Sequence, residues 1–266
     1  MRMPCFLYDM NNILWFVFSK DGILLKKSPC NSSYTIPDKK LPVNVNVGAK
    51  YLIQICGDIE ARAFMVDGVV RVPAGYQFIP LRKTFFFLPS DIYRIACKME
   101  ELVYWDSETH YCGRCGGKME FSSPISKKCV DCGHEIWPSL QIAIIVLVRR
   151  GDKVLLVQSK KFKSDYMGLV AGFVETGETL EQAVHREVME ETQIKIKNLR
   201  YLKSQVWPFP CNLMAGFAAD YESGEISIQT AELNKGGWFA RNSMPPLPDE
   251  ASIARQIINL WIEGKI

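Results

Sequence analysis

The sequence lacks a hydrophobic run long enough to cross a membrane. Its longest uninterrupted aliphatic stretch, from Ile142 to Val148, is far shorter than the roughly 20 residues that a membrane-spanning helix needs. Near the N-terminus, Pro4 and Asp9 interrupt the apolar residues, which does not fit the continuous apolar segment of a signal peptide. Internal repeats and low-complexity tracts are missing as well. We therefore expect a cytoplasmic protein with no membrane partner.

The chain also lacks a strong excess of charge of either sign. Its 266 residues carry 32 Lys and Arg against 29 Asp and Glu, a formal net charge of +3. A dedicated nucleic-acid binder has a larger basic excess, so the composition does not indicate one, although it is compatible with an RNA substrate. The hydrophobic fraction of 48% supports real cores, and the length allows two domains or one large domain with an appendage.

The cysteine content does not indicate a disulfide framework either. The chain has nine cysteines, and an odd number in an unsecreted protein indicates metal ligands or free thiols. Five of them show no paired spacing: Cys5, Cys30, Cys56, Cys97 and Cys211.

The other cysteines form two Cys-x-x-Cys pairs with thirteen residues between them: Cys112, Cys115, Cys129 and Cys132. Two such pairs can converge on one tetrahedral Zn²⁺, which is typical of a zinc ribbon. Four thiolates leave no open position for substrate, so we expect one structural zinc per chain. A catalytic metal or a redox dithiol is the alternative. His134 could compete as a ligand, but we favour four cysteines and expect His134 at the surface.

The stretch from Gly172 to Ile194 places several carboxylates on one predicted helix. Thr179, followed three residues later by a glutamine, forms a capping-box pattern, so the helix should begin there. At about 100° per residue, Glu187 and Glu191 lie on the apolar face, with Glu190 at its flank. Carboxylates that face the interior repel one another unless a cation lies between them, and a hard ion such as Mg²⁺ or Mn²⁺ suits oxygen ligands. A solvated acidic helix end is the alternative.

The residues around these carboxylates resemble the Nudix box. The matching positions are Gly172, Glu178, Arg186, Glu187, Glu190, Glu191 and Ile194. One position departs from the pattern, because Gln193 stands where the box has a glycine just beyond the helix. A left-handed conformation is easy only for glycine, so we expect Gln193 to cost some stability without affecting a metal ligand.

The first 107 residues predict short strands followed by a helix. The strands are Ile13 to Phe18, Tyr51 to Cys56 and Ala63 to Val66, and the helix begins at Pro89 to Asp91. No catalytic motif occurs in this part of the chain. A packing and dimerisation domain is the simplest interpretation.

From residue 139 onward, predicted strands surround the box helix. The strands are Ile142 to Val148, Val154 to Gln158, Leu199 to Val206, Leu213 to Tyr221 and Glu225 to Ile228. Asp249 or Ser252 can cap a last helix with one apolar face. This order suits a mixed sheet covered by helices.

Residues 204–212, SQVWPFPCN, lie between two of these strands. Aromatic rings between prolines make a stiff loop that could stack on a flat ring, and a buried structural loop is the alternative. The stretch resembles the SQPWPFPxS motif of the NADH pyrophosphatase family of Nudix hydrolases. Val206 stands where that family has proline, and Asn212 where it has serine. The family also has a β-rich N-terminal domain and a four-cysteine zinc ribbon, so the resemblance covers nearly the whole chain.

The resemblance implies an α/β (α+β) fold, a Nudix mixed-sheet α/β/α sandwich preceded by a zinc ribbon and a β-rich domain. The expected boundaries are 1–107 for the N-terminal domain, 108–138 for the ribbon and 139–266 for the Nudix domain. A homodimer is implied as well.

The resemblance also implies roles for the residues that match the family's motifs position by position. The resemblance assigns the catalytic Mg²⁺ or Mn²⁺ to the Ala171 carbonyl, Glu187, Glu190, Glu191 and Glu232. It assigns catalysis to Glu178, Arg186, Glu187, Glu190 and Glu191. It assigns dinucleotide contacts to Arg82, Trp137, Gln205, Val206, Trp207, Pro208, Phe209, Pro210, Cys211, Asn212 and Ala254. Arg186 is expected to orient a glutamate through a bidentate bond rather than to contact phosphate.

The implied reaction is hydrolysis of the pyrophosphate of NAD(H) to NMN(H) and AMP. The same cleavage would remove an NAD cap from the 5′ end of an RNA. A Nudix hydrolase of ADP-ribose or diadenosine polyphosphate is the alternative. A non-catalytic nucleotide sensor is a further alternative, but such a protein is expected to lose box glutamates, and all four are present here.

Overall fold

A computed structural model describes residues 13–28, 33–40, 52–66, 71–160 and 165–266. Packing divides the chain into two units, Met1–Ser139 with Pro208–Pro210, and Leu140–Trp207 with Cys211–Ile266. The predicted three-part division stays a prediction. Cys5, Cys30 and Tyr51, the first residue of a predicted strand, lie outside the described residues.

The first unit contains a six-stranded sheet. Its strands are β1 (Ile13–Ser19), β2 (Gly22–Lys27), β3 (Tyr34–Thr35), β4 (Leu52–Cys56), β5 (Ile59–Met65) and β6 (Tyr76–Ile79). The strand order is β3-β2-β1-β5-β4, and β6 pairs with β2. The three predicted strands are present as β1, β4 and β5. The sequence did not predict β2, β3 and β6. Strand β3 has only two residues, and β6 pairs with β2, which is distant in the sequence.

Two helices follow this sheet, α1 (Leu81–Thr84) and α2 (Ser90–Glu108). The predicted start of α2 is confirmed, with Pro89 at the N-cap position. Apolar residues at helical spacing, such as Ile92, Ala96 and Met99, pack against Phe16 and other residues of the sheet. This cluster is the main core of the first unit.

The cysteine region forms a small three-stranded sheet of β7 (Met119–Ser123), β8 (Ser126–Cys129) and β9 (Glu135–Ile136). Lys127 in β8 is only 2% exposed. Its ammonium donates to the carbonyls of Asp106 (3.0 Å) and Thr109 (3.1 Å) and pairs with the Asp106 carboxylate at 2.5 Å. A buried charge needs such partners, so Lys127 ties the ribbon to the C-terminal end of α2.

The second unit is a mixed sheet between two helices. Its strands are β10 (Gln141–Arg150), β11 (Lys153–Ser159), β12 (Val170–Phe173), β13 (Lys195–Trp207), β14 (Asn212–Ser223) and β15 (Leu233–Ala240). The order is β13-β14-β10-β11-β15, and β12 pairs with β10. The helices are α3 (Leu180–Thr192) and α4 (Ile253–Ile262).

The continuously apolar run of β10 lies at the centre of this sheet. Ile144 packs on the side of α3 with Val188, and Leu147 packs on the side of α4 with Ile257. Both faces of the strand are therefore buried, which explains its unbroken apolar sequence. The predicted α/β/α sandwich is confirmed.

One predicted strand is wrong, because residues 225–229 have no strand structure. The N–H of Ser227 donates to the Thr192 carbonyl at 3.0 Å, and the N–H of Gln229 donates to the Glu191 carbonyl at 3.0 Å. These bonds satisfy carbonyls that the end of α3 leaves without helical partners. The segment therefore caps a helix instead of joining the sheet.

Candidate active site and metal centre

Helix α3 begins with the predicted capping box. The Thr179 hydroxyl accepts the N–H of Gln182 at 3.2 Å, and the Gln182 side-chain oxygen accepts the N–H of Thr179 at 2.8 Å. Both residues satisfy N–H groups that would otherwise lack partners at the start of a helix. The start of the helix that carries the box glutamates is therefore well defined.

Gln193 ends the helix in the left-handed conformation that the sequence predicted, with φ 58° and ψ 22°. Its N–H donates to the Met189 carbonyl at 2.9 Å. The residue thus takes the backbone geometry that the Nudix pattern reserves for glycine.

Replacing Gln193 with glycine should increase the free energy of unfolding by up to about 1 kcal/mol. A side chain in the left-handed conformation costs roughly 1–2 kcal/mol, which glycine avoids. Part of this gain is lost because glycine makes the unfolded chain more flexible. Urea unfolding of the parent and the variant measures the change. Gln193→Ala is the control, since it keeps the Cβ atom and, like the glycine variant, loses the hydrogen bond from the Gln193 side-chain amide to the Met189 carbonyl. If Gln193→Gly is no more stable than Gln193→Ala, the prediction is wrong.

Arg186 binds three glutamates of the candidate active site. Its guanidinium binds both carboxylate oxygens of Glu178, with Nε–Oε1 at 2.6 Å and Nη2–Oε2 at 2.8 Å. Nη1 also donates to Glu187 at 2.8 Å and to Glu190 at 3.1 Å, and Nη2 donates to the Phe173 carbonyl at 2.9 Å. The bidentate pair is the arrangement that the sequence predicted for Arg186.

These contacts change the protonation behaviour of the pair. The hydrogen bonds from Arg186 lower the pKa of Glu178 to about 2, with a smaller contribution from the N–H of Glu175. The same pair raises the pKa of Arg186 above its usual value. Both groups are therefore charged throughout the neutral pH range.

Glu187 lies against the backbone of Gly172. A Cβ atom added to Gly172 would lie 2.0 Å from the carboxyl carbon of Glu187, so a side chain at this position would displace the carboxylate. Burial raises the pKa of Glu187, Arg186 opposes this rise, and the negative charges of Glu190 and Glu232 add to it. The glycine of the box is thus needed for space rather than for a special backbone angle.

The other two box carboxylates differ in exposure. Glu191, one turn after Glu187, is 5% exposed. The side chain of Glu190 is 54% exposed. Glu232 is exposed on the turn before β15, and its negative charge contributes to the raised pKa of Glu187. Ala171 is half-buried in β12 next to Gly172.

The donor set fits a hard divalent cation. Carboxylates are the oxygen ligands that such a cation prefers, and Glu187 is partly buried while Glu191 is buried. Within the described ranges, however, the four cysteines are the single group with three or more donor atoms within 4.8 Å of one another. Glu187 and Glu190 instead share the guanidinium of Arg186.

The four cysteines fit a tetrahedral metal. The Sγ atoms of Cys112 and Cys132 are 3.7 Å apart, and those of Cys115 and Cys129 are 3.5 Å apart. Four thiolates at a Zn–S distance of about 2.3 Å are about 3.8 Å from one another in a regular tetrahedron. His134 is exposed and is not part of the group, as predicted.

Matching turns bring the two cysteine pairs together. The Gly116 N–H donates to the Cys112 carbonyl at 2.8 Å, and the Gly133 N–H donates to the Cys129 carbonyl at 3.1 Å. Both glycines have positive φ, 77° and 71°. The glycine after each pair therefore permits the tight turn that directs two thiols to one point.

The predicted loop at residues 204–212 is shorter in the structure. Residues 204–207 belong to β13, Asn212 begins β14, and the turn covers only residues 208–211. The amide of Gln205 donates to the Ala251 carbonyl at 2.8 Å and accepts the Ile253 N–H at 2.7 Å. Gln205 therefore holds the start of α4, and its predicted contact with substrate stays a prediction.

The aromatic residues of this motif have different environments. Phe209 packs against the core of the first unit, and Trp207 is half-buried. Val206 is exposed, Pro208 and Asn212 are buried, Cys211 is half-buried and Pro210 is exposed. Among the other predicted contacts, Arg82 is half-buried in α1, Trp137 is exposed and Ala254 is buried.

Sequence reasoning missed the contribution of Phe173. Its carbonyl accepts a hydrogen bond from Arg186, and its side chain is 53% exposed beside the box glycine. A backbone acceptor has no residue-type signature. The one available signal is an apolar residue directly after Gly172, the glycine of the box.

Comparison with known proteins identifies the family. Residues 139–261 match the model of the NUDIX domain. The chain is 42% identical over 192 residues to the NAD-capped RNA hydrolase NudC of Haemophilus influenzae (strain PittEE), covering 70% of this chain and 72% of that protein. The chain belongs to the Nudix hydrolase family. It is also 39% identical over 198 residues to the NAD-capped RNA hydrolase NudC of Pseudomonas aeruginosa (strain LESB58), covering 74% and 71%.

The chain is also similar to a crystal structure of a NUDIX hydrolase from Nitrosomonas europaea, with a TM-score of 0.48 and 20% identity, covering 58% of this chain and 91% of that chain.

Nudix hydrolases use divalent metals, and the four-cysteine cluster of this Nudix hydrolase could bind zinc. Among the described helices, none has the length and apolar character needed to span a membrane.

Proposed function

We propose that this Nudix hydrolase splits the pyrophosphate of NAD(H) into NMN(H) and AMP and removes NAD caps from RNA 5′ ends. The observation that carries the proposal is the group of carboxylates that Arg186 holds beside Gly172. The names of the relatives support the substrate, since both are NAD-capped RNA hydrolases.

In this proposal Mg²⁺ or Mn²⁺ is held by the Ala171 carbonyl, Glu187, Glu191 and Glu232, with Glu190 nearby. When bound, such an ion neutralises phosphate charge and lowers the pKa of a bound water. Arg186 keeps Glu178 in place and orients Glu187, so that the carboxylates need little rearrangement. Gly172 leaves room for the Glu187 carboxylate.

We further propose that the cysteine cluster holds one structural Zn²⁺ and that the active protein is a homodimer. The sulfur distances support the first point, and the family resemblance supports the second. The cytoplasmic location also stays a proposal, and the described cysteines form no disulfide.

A product assay tests the reaction. Purified protein with Mg²⁺ or Mn²⁺ should convert NADH into equal amounts of NMNH and AMP and should release NMN from NAD-capped RNA. NAD, ADP-ribose and diadenosine polyphosphate are the comparison substrates. Rapid hydrolysis of ADP-ribose with no cleavage of NADH or capped RNA would contradict the proposed substrate.

The Trp207→Ala variant should use NADH roughly 5- to 150-fold less efficiently, since stacking on a base is worth about 1–3 kcal/mol. ADP-ribose, which lacks the nicotinamide, should be affected less. The Phe209→Ala variant should mainly lower the melting temperature, because its ring packs in the core of the first unit. Measuring kcat/KM on both substrates, together with melting temperatures, separates the two roles. Equal losses on both substrates in Trp207→Ala would argue against nicotinamide stacking.

A further inference from the structure

The turn that carries Glu232 is joined to the end of helix α3. The Gln229 carbonyl accepts the N–H groups of Glu232 (3.3 Å) and Leu233 (3.1 Å), which closes the turn. The Gln229 N–H donates to the carbonyl of Glu191 at 3.0 Å. The backbone of Gln229 therefore links two of the proposed metal-binding residues, which are distant in the sequence.

An apolar anchor holds the start of this turn. Ile228 packs against the core on the α3 side of the sheet. A Cβ atom added to Gly236 in β15 would lie 2.4 Å from the Ile228 Cδ1 atom, so the side chain occupies the space that the glycine leaves. The segment before the turn is thus fixed by core packing.

Lys160 holds the other side of the turn. Its N–H donates to the Glu232 carbonyl at 2.8 Å, and its ammonium donates to the Thr230 carbonyl. The lysine directly follows β11, whose last residue, Ser159, pairs with Leu233 after a β-bulge. The main chain of Lys160 therefore binds one end of the segment from Thr230 to Glu232, and its side chain binds the other end.

We infer that Lys160 is a positioning residue, which holds Glu232 in place by fixing the turn that carries it. The inference rests on the proposed role of Glu232 as a metal ligand. Lys160 is exposed and binds carbonyl groups rather than a carboxylate, so its contribution is geometric.

The test measures Mn²⁺ binding without substrate, from the electron paramagnetic resonance signal of free Mn²⁺. Lys160→Met keeps the length of the side chain and removes its donors, and it should weaken Mn²⁺ binding by about 10-fold, as loss of a residue supporting a metal ligand does. Lys160→Arg should restore most of the affinity. Lys153→Met, an exposed lysine at the opposite end of β11, is the matched control and should bind Mn²⁺ like the parent.

The direction of the change distinguishes geometry from charge. Removing a positive charge near a cation site should by itself strengthen Mn²⁺ binding, whereas loss of positioning should weaken it. Unchanged or tighter binding in Lys160→Met would overturn the inference, as would a loss matched by Lys153→Met. Melting temperatures without added Mn²⁺ should be equal for the parent and Lys160→Met, and a drop with unchanged affinity would show a merely structural role.

Glu232→Gln separates this inference from the proposed function. If it weakens Mn²⁺ binding and Lys160→Met does not, the positioning role fails and the ligand role of Glu232 stands. If Glu232→Gln binds Mn²⁺ like the parent, the ligand role of Glu232 and the positioning role of Lys160 both fail. Weakening in both variants, with recovery in Lys160→Arg, is the result that supports the inference.

Discussion

The Glu187→Gln variant should hydrolyse NADH at least about 100-fold less efficiently than the parent, with its fold intact, because it loses an essential electrostatic group without losing volume. Glu187 lies against Gly172 and receives a hydrogen bond from Arg186, so an amide of the same shape fits the site. Glu191→Gln should have a similar effect. That carboxylate is buried, and its neutral replacement should leave the stability unchanged or higher.

Activity is measured as kcat/KM with saturating Mg²⁺ or Mn²⁺, and folding by circular dichroism and melting temperature. Glu181→Gln is the matched control, since Glu181 is an exposed glutamate in the first turn of the same helix. It should behave like the parent. Activity of Glu187→Gln within about tenfold of the parent would show that Glu187 is not essential.

Removing zinc should unfold the ribbon at residues 110–138. Structural zinc contributes about 10–16 kcal/mol to the folding of small zinc domains, which is more than a three-stranded sheet of this size could replace. The Sγ atoms of Cys112 and Cys132 are only 3.7 Å apart, so thiolates without a metal would repel one another. Elemental analysis of purified protein should show one zinc per chain.

Amide hydrogen exchange measures the unfolding directly. After treatment with a strong chelator, residues 110–138 should lose their protection, and the end of α2 should follow, since Lys127 no longer caps it. Cys115→Ser should lose zinc, whereas Cys211→Ser, outside the cluster, should retain it. Protein without zinc, or full protection after its removal, would disprove a structural zinc.

The chemistry of the candidate site was largely predictable because its signals are local in the chain. Box glutamates at helical spacing, the capping box at Thr179 and the two Cys-x-x-Cys pairs depend on residues a few positions apart. Gln193 belongs to this class, because the left-handed end of a helix follows from the position of its last turn. The unbroken apolar run of β10 likewise predicted a central strand.

Other features depend on which distant segments meet. Gly172 provides space only because Glu187, fifteen residues later, lies over it. Gln205 holds the start of α4, and residues 225–229 cap α3 instead of forming a strand. No residue type marks a backbone N–H or carbonyl as the partner of a remote group, so the sequence could not predict these contacts.

The sequence by itself therefore determined the residue types that could bind metal and their order along one helix and two turns. The tertiary structure alone decided how the turn that carries Glu232 is held, because Gln229 binds the end of α3 and Lys160 binds the carbonyls of Thr230 and Glu232. The physical reason is that side-chain periodicity follows from local backbone geometry. The pairing of remote backbone groups follows from how the whole chain packs.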